Sequence, residues 1–371
     1  MRHSPPERAR ESPPERARES PLARFLFVAY VFLVAYASLY PLAGWRDPGS
    51  SAFAFLAAPW PRYLTAFDLG ANFLGYLPYG LLCALAVHPR LRGTAAALLA
   101  VVTGAVLSLS LEAAQSFLPA RIASNADVLA NLGGAAAGGW LGARLVPGLL
   151  EGGPFERLRA DTFVPGTAAD LGLTLLGLWL FAQLNPATLL FGAGDLRDLL
   201  AGTAGPGHAA ELFVSIEAAT AAANLVAVAL LASAVTRPEA PLRRLLLALL
   251  AVALAVKTFA FAILMQAEHV LAWLTPGALL GLGAGIVLTL AVLALPQSVR
   301  LALAVFLLLA ATALVNLAPP NPYLAEILKV WPQGHFLHFN GLTRLVSAAW
   351  PFAALGYLVW LASARQGKAF R

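Results

Sequence analysis

The sequence predicts an all-α polytopic membrane protein with about ten transmembrane helices, and three observations lead to this fold class. First, 59% of its 371 residues are hydrophobic and only 12% are charged, whereas soluble domains average about 25% charged residues. Second, ten apolar segments approach the roughly 20 residues that a bilayer span requires. Third, Lys and Arg concentrate in alternate connections between these segments, as they do in membrane proteins. The net charge of +6 therefore indicates membrane topology and no nucleic-acid partner.

The chain begins with a polar tail and continues as a series of apolar runs. Residues 1–24 contain a tandem octapeptide rich in Pro, Glu and Arg, which cannot bury a core and predicts a disordered tail. The predicted spans are 25–43, 69–88, 94–118, 128–147, 168–190, 210–235, 242–265, 270–294, 299–318 and 345–363.

The charge distribution predicts the orientation of these spans. The side that includes both chain ends carries 18 of the 25 Lys and Arg residues. Because positive charge is retained on the cytoplasmic side, we expect both termini to be cytoplasmic and the protein to be a multi-pass protein of the inner (cytoplasmic) membrane. The chain then divides into a cytoplasmic tail 1–24, a four-helix domain 25–147, a cytoplasmic linker 148–167 and a C-terminal region of about six helices, 168–371.

Polar residues recur where spans two, three and four reach the predicted outer side. They are spaced so that pairs three or four residues apart share one helix face. Because these helix ends lie at a common depth, we expect the side chains to converge on a ligand-binding site, called the outer cluster below. The outer cluster comprises Asp68, Asn72, Ser108, Glu112, Gln115, Arg121, Asp127 and Asn131.

Small residues in the same helices predict close helix packing. Gly134 and Gly138 form a small-xxx-small step, and Gly80 offers a further close approach. Pro78 removes a backbone donor inside span two, which frees a carbonyl and predicts a kink. Ordinary helix packing explains all of these residues, so we assign them a structural role.

The combined pattern resembles the VanZ-like family of bacterial membrane proteins over residues 25–147. The motifs are D-x3-N-x5-P-x-G from Asp68, S-x3-E-x2-Q from Ser108, and R-x5-D-x3-N-x2-G from Arg121. The founding member of that family is associated with low-level resistance to the glycopeptide teicoplanin. The resemblance thus implies a role at the cell envelope and in antibiotic resistance, without implying a reaction.

The C-terminal spans contain polar residues of their own. Glu217 and Lys257 lie at similar depth and are secondary candidates for a site, and we expect them to pair because an unpaired intramembrane charge is costly. The sequence around Gly277 and Gly281 echoes span four, with these glycines aligned to Asp127 and Asn131. Residues 168–295 are therefore either a degenerate repeat of the first four spans or helices that are similar in composition alone.

Motifs typical of hydrolases, zinc proteases, P-loop enzymes and redox proteins are missing from the sequence. We expect no cofactor or metal, and the bilayer and an envelope ligand as partners. Three functions stay open. Binding of an envelope lipid or glycopeptide-like ligand is favoured, and the alternatives are a lipid or small-solute transporter and a membrane enzyme that acts on lipid-linked substrates.

Overall fold

A computed structural model describes residues 20–61, 65–197, 210–264, 270–318, 321 and 337–369. In these ranges the chain forms α-helices and no β-strand, apart from one isolated bridge between Phe163 and Thr236. The predicted all-α bundle is therefore confirmed. The helices are α1 Pro21–Leu39, α2 Ala66–Ala86, α3 Gly93–Gln115, α4 Asn125–Leu150, α5 Pro154–Thr162, α6 Thr167–Ala182, α7 Ala210–Val235, α8 Leu242–Leu264, α9 Pro276–Val292, α10 Gln297–Leu317 and α11 Leu337–Ala369.

Ten of these helices fall on the ten predicted spans, and α5 lies in the predicted linker. Seven helices among the described residues are long and apolar enough to cross a membrane, namely α1, α2, α3, α7, α8, α10 and α11, and α6 and α9 are shorter apolar helices. Large apolar side chains such as Phe32, Leu98 and Leu309 project outward and are exposed. A surface of this kind contacts lipid, so the chain is a multi-pass membrane protein. The orientation of the helices stays a prediction.

The first helix starts earlier than its predicted span. Residues 1–19 of the predicted tail lie outside the described residues, and α1 begins at Pro21. Ser20 is the N-cap, because its hydroxyl accepts a hydrogen bond of 3.3 Å from the backbone N–H of Ala23. Proline suits the first helical position, where its missing N–H is not needed.

The helices α2 and α4 form the most extensive helix pair among the described residues. Their backbones touch: a Cβ atom at Gly138 would collide with the carbonyl oxygen of Leu77, and one at Gly80 would collide with that of Ala135. A helix pair this close requires glycine at the contact points. The pairing fixes the relative height of the two polar helix ends that contribute to the outer cluster.

Pro78 lies inside α2, which runs continuously from Ala66 to Ala86. A proline at this position leaves the carbonyl of Leu74 without its intrahelical donor. The neighbouring carbonyl, that of Gly75, accepts a hydrogen bond of 2.7 Å from the hydroxyl of Tyr30 on α1. The turn of α2 that precedes Pro78 is thus bonded to α1.

The fifth predicted span, 168–190, is wrong in its second half, because α6 ends at Ala182. The residue before a proline disfavours the helical conformation, and the proline itself cannot donate to the helix, so Asn185 and Pro186 stop it. Residues 183–194, called the buried segment below, continue as non-helical and largely buried backbone. Such backbone needs partners from the surrounding protein.

Three helices supply partners to the buried segment. From α8, the amino group of Lys257 donates to the carbonyl oxygen of Asn185 at 2.7 Å. From α10, the amide of Asn316 donates to the carbonyl oxygen of Gly194 at 2.7 Å, and the N–H of Gly194 donates to the carbonyl oxygen of Ser347 on α11 at 2.8 Å. The largest apolar core among the described residues surrounds this segment and includes Trp179 and Phe191.

Helix α1 connects the other helices of the four-helix domain to the C-terminal region. It packs on α2, and its other side contacts α6 and α11. At its C-terminal end, Leu33, Tyr36 and Ala37 pack against a small core formed by Ala182 of α6 with Leu342 and Val346 of α11.

Candidate functional site

The outer cluster begins with a helix cap at the start of α2. The carboxylate of Asp68 accepts hydrogen bonds from the backbone N–H of Thr65 at 3.2 Å and from its hydroxyl at 2.6 Å, and the N–H of Asp68 donates back to that hydroxyl at 3.1 Å. This reciprocal arrangement is a capping box. Asp68 is therefore engaged in starting its own helix.

The centre of the outer cluster is Glu112, near the end of α3. Its side chain is only 4% exposed. One carboxylate oxygen accepts a hydrogen bond of 2.9 Å from the backbone N–H of Ser124, the N-cap of α4. This contact holds the start of α4 against the end of α3.

Arg121 and Gln115 both turn toward α1. The guanidinium of Arg121 donates to the carbonyl oxygens of Ser38 at 2.7 Å and Ala37 at 3.1 Å, and the amide of Gln115 donates to that of Ser38 at 3.0 Å. These carbonyls belong to the last turn of α1, where helical partners are missing and the dipole favours a cation. The two side chains therefore cap α1.

Arg121 also faces the acidic side of the outer cluster. Burial lowers the pKa of its guanidinium, while the carboxylates of Glu112 and Asp127 act in the opposite direction and raise it. A guanidinium stays protonated at neutral pH. Arg121 is therefore the cation that balances the two carboxylates.

Asp127 and Asn72 face each other across the α2–α4 contact. Asp127 interacts electrostatically with Asp68 and Arg121 and with the amide of Asn72. The amide nitrogen of Asn72 also donates to the carbonyl oxygen of Asp68 at 3.1 Å. Glu112 and Asp127 thus lie near the guanidinium of Arg121, and Asp68 lies near Asp127.

A second polar contact lies deeper between α3 and α4. The amide nitrogen of Asn131 donates to the hydroxyl of Ser108 at 2.9 Å, and both side chains are buried. The hydroxyl of Tyr76 on α2 is buried beside Ser108. The oxygen of the Asn131 side chain has no hydrogen-bond partner among the described residues.

The structure thus brings the predicted residues into one neighbourhood but gives them different partners. Asp68 caps α2, Arg121 and Gln115 cap α1, and Ser108 and Asn131 join α3 to α4. Glu112 and Asp127 bond to Ser124 at the start of α4, and Asp127 also faces Asn72. Ligand binding by any of them stays a prediction.

Three participants were not predicted from the sequence. The N–H of Ser124 and the carbonyls of Ala37 and Ser38 are backbone groups, which no residue pattern marks. The sequence S-N-A-D from Ser124 does have the form of a helix start with an acidic residue at the third helical position, and that signal could have identified Ser124 as a cap.

The secondary candidates Glu217 and Lys257 are both buried, at 2% and 1% exposure. Glu217 accepts a hydrogen bond of 2.6 Å from the hydroxyl of Thr275. Lys257 donates to the carbonyl oxygens of Asn185 and Thr188 and to the hydroxyl of Thr188. The two charges influence each other electrostatically, but the direct ion pair expected from the sequence does not form among the described residues, because Lys257 binds the buried segment.

Taken together, the bundle and its outer cluster define a polytopic helical membrane protein with a set of carboxylates, amides and one guanidinium at the adjoining ends of three helices. Residues 25–146 match the model of the VanZ/LLP1 family. The N-terminal region of the chain is therefore a VanZ-like domain, as the sequence motifs predict, and the outer cluster lies within it. No curated protein and no solved structure matches the chain.

Proposed function

We propose that the VanZ-like domain binds the polar part of a cell-envelope lipid or of a glycopeptide-like ligand through the outer cluster, from the outer side of the cytoplasmic membrane. The observation that carries this proposal is the burial of Glu112 next to Asp127 and Arg121. An ionisable group inside a membrane domain is expensive, and such groups are mostly retained for function.

The arrangement of donors and acceptors suggests the chemistry of the ligand. Arg121 is turned toward α1, whereas the carboxylate of Glu112 accepts one hydrogen bond among the described residues, from Ser124. Glu112 and Asp127 therefore supply an excess of acceptor oxygens. The ligand class that fits them has amine, amide or hydroxyl donors, such as the sugar or peptide part of an envelope precursor or of teicoplanin.

The packing of α2 on α4 also supports the proposal. The α2–α4 contact is rigid because the two backbones touch, and rigid elements position ligand-binding groups better than loops do. Resistance to teicoplanin would follow if the domain bound the antibiotic or its envelope target.

The test uses the purified full-length protein and the variant Glu112→Gln. Glutamine keeps an acceptor oxygen for the N–H of Ser124, so the variant should fold and accumulate in the membrane. Native mass spectrometry would measure envelope lipids that co-purify with each protein, and teicoplanin would be added as a defined second probe. We expect the wild type to retain one of these ligands and Glu112→Gln to lose at least tenfold in affinity.

The matched control is Ser110→Ala on the same helix, because the Ser110 hydroxyl is exposed and bonds only to the carbonyl of Val106 among the described residues. This variant should bind as the wild type does. Equal binding by the wild type and Glu112→Gln would contradict the proposal, as would failure of the wild type to bind either an envelope lipid or teicoplanin.

A further inference from the structure

An apolar crevice opens in the C-terminal region, far from the outer cluster in sequence. Helices α8 and α9 form its walls, and α6 and α7 form its floor. Its volume is about 200 Å³, which is smaller than the roughly 300–1,000 Å³ of typical ligand pockets and suits a single narrow chain. The lining includes Trp179, Ala229, Leu250 and Leu290, and nearly all of it is hydrocarbon.

The crevice exists because α8 stands apart from its successor in the chain. Helix α8 packs lightly on α6 and α7, and among the described residues it does not pack along α9. Protein interiors and membranes do not leave such spaces empty, because an unfilled gap forfeits van der Waals contacts on both sides. Along this face the material available to fill the gap is the acyl chain of a lipid.

The crevice fits within one leaflet. Arg243 lies in the first turn of α8 and Leu293 caps the end of α9, so both mark the same end of the crevice. From this end the lining runs to Leu250 on α8 and to Ile286 on α9, seven residues along each helix. At 1.5 Å per residue this is about 10 Å, less than half of the roughly 30 Å hydrocarbon core.

The end of the crevice at the start of α8 carries positive charge. Arg243 is exposed although it contributes to the lining, as when an arginine buries its aliphatic stem and keeps its guanidinium at the interface. A guanidinium binds phosphate through two parallel hydrogen bonds. The neighbouring Arg244 is also exposed but does not line the crevice.

We infer that this crevice is a lipid site that holds one acyl chain of an anionic phospholipid, with the lipid phosphate at Arg243. The lipid fills the space between α8 and α9 and so completes the packing of the C-terminal region. The site is independent of the outer cluster and of the ligand proposed for it.

The first experiment fills the crevice. Delipidated full-length protein in detergent would be titrated with phosphatidylglycerol and, separately, with phosphatidylcholine, and bound lipid would be counted by native mass spectrometry. Leu250→Trp places a larger side chain in the crevice, whereas Val252→Trp adds the same group on an exposed position of α8 that does not line it. We expect one tightly held phosphatidylglycerol in the wild type and in Val252→Trp, and at least tenfold weaker binding in Leu250→Trp.

If Leu250→Trp does not accumulate, Ala229→Leu narrows the crevice from its floor and takes its place. Equal retention of phosphatidylglycerol by the crevice-filling variant and by Val252→Trp would overturn the site, because the lipid would then be bound elsewhere on the surface.

The second experiment tests the headgroup with two adjacent arginines. Arg243→Gln should weaken phosphatidylglycerol binding about fivefold and leave phosphatidylcholine binding unchanged, while Arg244→Gln should have a clearly smaller effect. Equal effects of the two substitutions, or equal binding of the two lipids by the wild type, would overturn the assignment of the phosphate to Arg243.

Discussion

Two helix pairs, α2 with α4 and α7 with α9, pack through regularly spaced glycines, but their polar groups differ. In both, the second helix presents a glycine every four residues to the backbone of the first. The glycines and the residues they face are Gly134, Gly138 and Gly142 against Phe73, Leu77 and Leu81, and Gly277, Gly281 and Gly285 against Val214, Ala218 and Ala222. The equal spacing is consistent with the predicted degenerate repeat, which stays a prediction.

The contacts also favour a register other than the one read from the sequence. The sequence alignment placed Gly277 opposite Asp127, whereas the packing matches Gly277 with Gly134. In this register Glu217 occupies the place of Tyr76, three residues after the first facing residue in each pair.

The difference between the pairs lies in where the polar groups are. The first pair carries them at the helix ends, where they cap helices and form the outer cluster. In the second pair Glu217 and Thr275 are buried, although Thr275 also stands at a helix end as the N-cap of α9. The nearby Lys257 supports the buried segment. A similar backbone contact thus accompanies half-buried polar groups such as Asp68, Asn72 and Asp127 in one pair and fully buried polar groups in the other.

The largest loss of stability is expected when an added side chain forces apart the closer of the two helix pairs, α2 and α4. Gly138→Ala forces a Cβ onto the carbonyl oxygen of Leu77, so α2 and α4 must separate, at a cost of about 1–3 kcal/mol. Gly281→Ala meets the carbonyl oxygen of Ala218 at 2.6 Å and should cost less. The melting temperature in detergent, followed by size-exclusion chromatography after heating, would rank the variants.

The control for this comparison is Gly75→Ala on α2, because a Cβ there has no atom within 4 Å. It should keep or raise the melting temperature, since alanine favours helix over glycine by about 1 kcal/mol. A Gly138→Ala variant as stable as Gly75→Ala would show that the two backbones do not touch.

The second prediction compares the structural roles of the two buried charged residues, Lys257 and Glu217. Lys257→Met leaves the carbonyls of Asn185 and Thr188 without their donor, which costs about 1–3 kcal/mol. Glu217→Gln keeps an acceptor for the hydroxyl of Thr275 and should cost less. Hydrogen exchange of residues 183–194 should rise in Lys257→Met and stay unchanged in Glu217→Gln. Unchanged exchange in both variants would mean that Lys257 does not hold the buried segment.

The smallest expected effect concerns one side-chain contact. A double-mutant cycle of Asn131→Ala and Ser108→Ala should give a coupling free energy of about 0.6 kcal/mol, the average for hydrogen bonds between membrane helices. The matched cycle in α7 is Asn224→Ala with Thr220→Val. Its coupling should be close to zero, because Asn224 donates to the backbone carbonyl of Thr220 at 3.2 Å. Equal coupling in the two cycles would remove this difference between the pairs.

The sequence predicts the helices well because their apolar runs exceed the length that any other element would use. It also predicts the neighbourhood of Glu112, Arg121 and Asp127, because motif spacing and helix orientation together place them at one end of the bundle. The partners of Arg121 were not predictable, since carbonyl oxygens at a helix end carry no sequence signature. The stop of α6 was signalled by Asn185 and Pro186, but the apolar residues that follow, such as Leu189 and Leu190, obscured it because a buried loop is as apolar as a span.

Because Arg121 binds the last turn of α1, this helix connects the outer cluster to the C-terminal region. Ala37, whose carbonyl Arg121 binds, also packs with Ala182 and Val346 of the C-terminal region. A ligand that drew the guanidinium toward Glu112 would release the last turn of α1, and the loosened turn would shift its neighbours on α6 and α11. Occupancy of the outer cluster would thereby be transmitted sideways through the bundle, from the VanZ-like domain to the C-terminal helices.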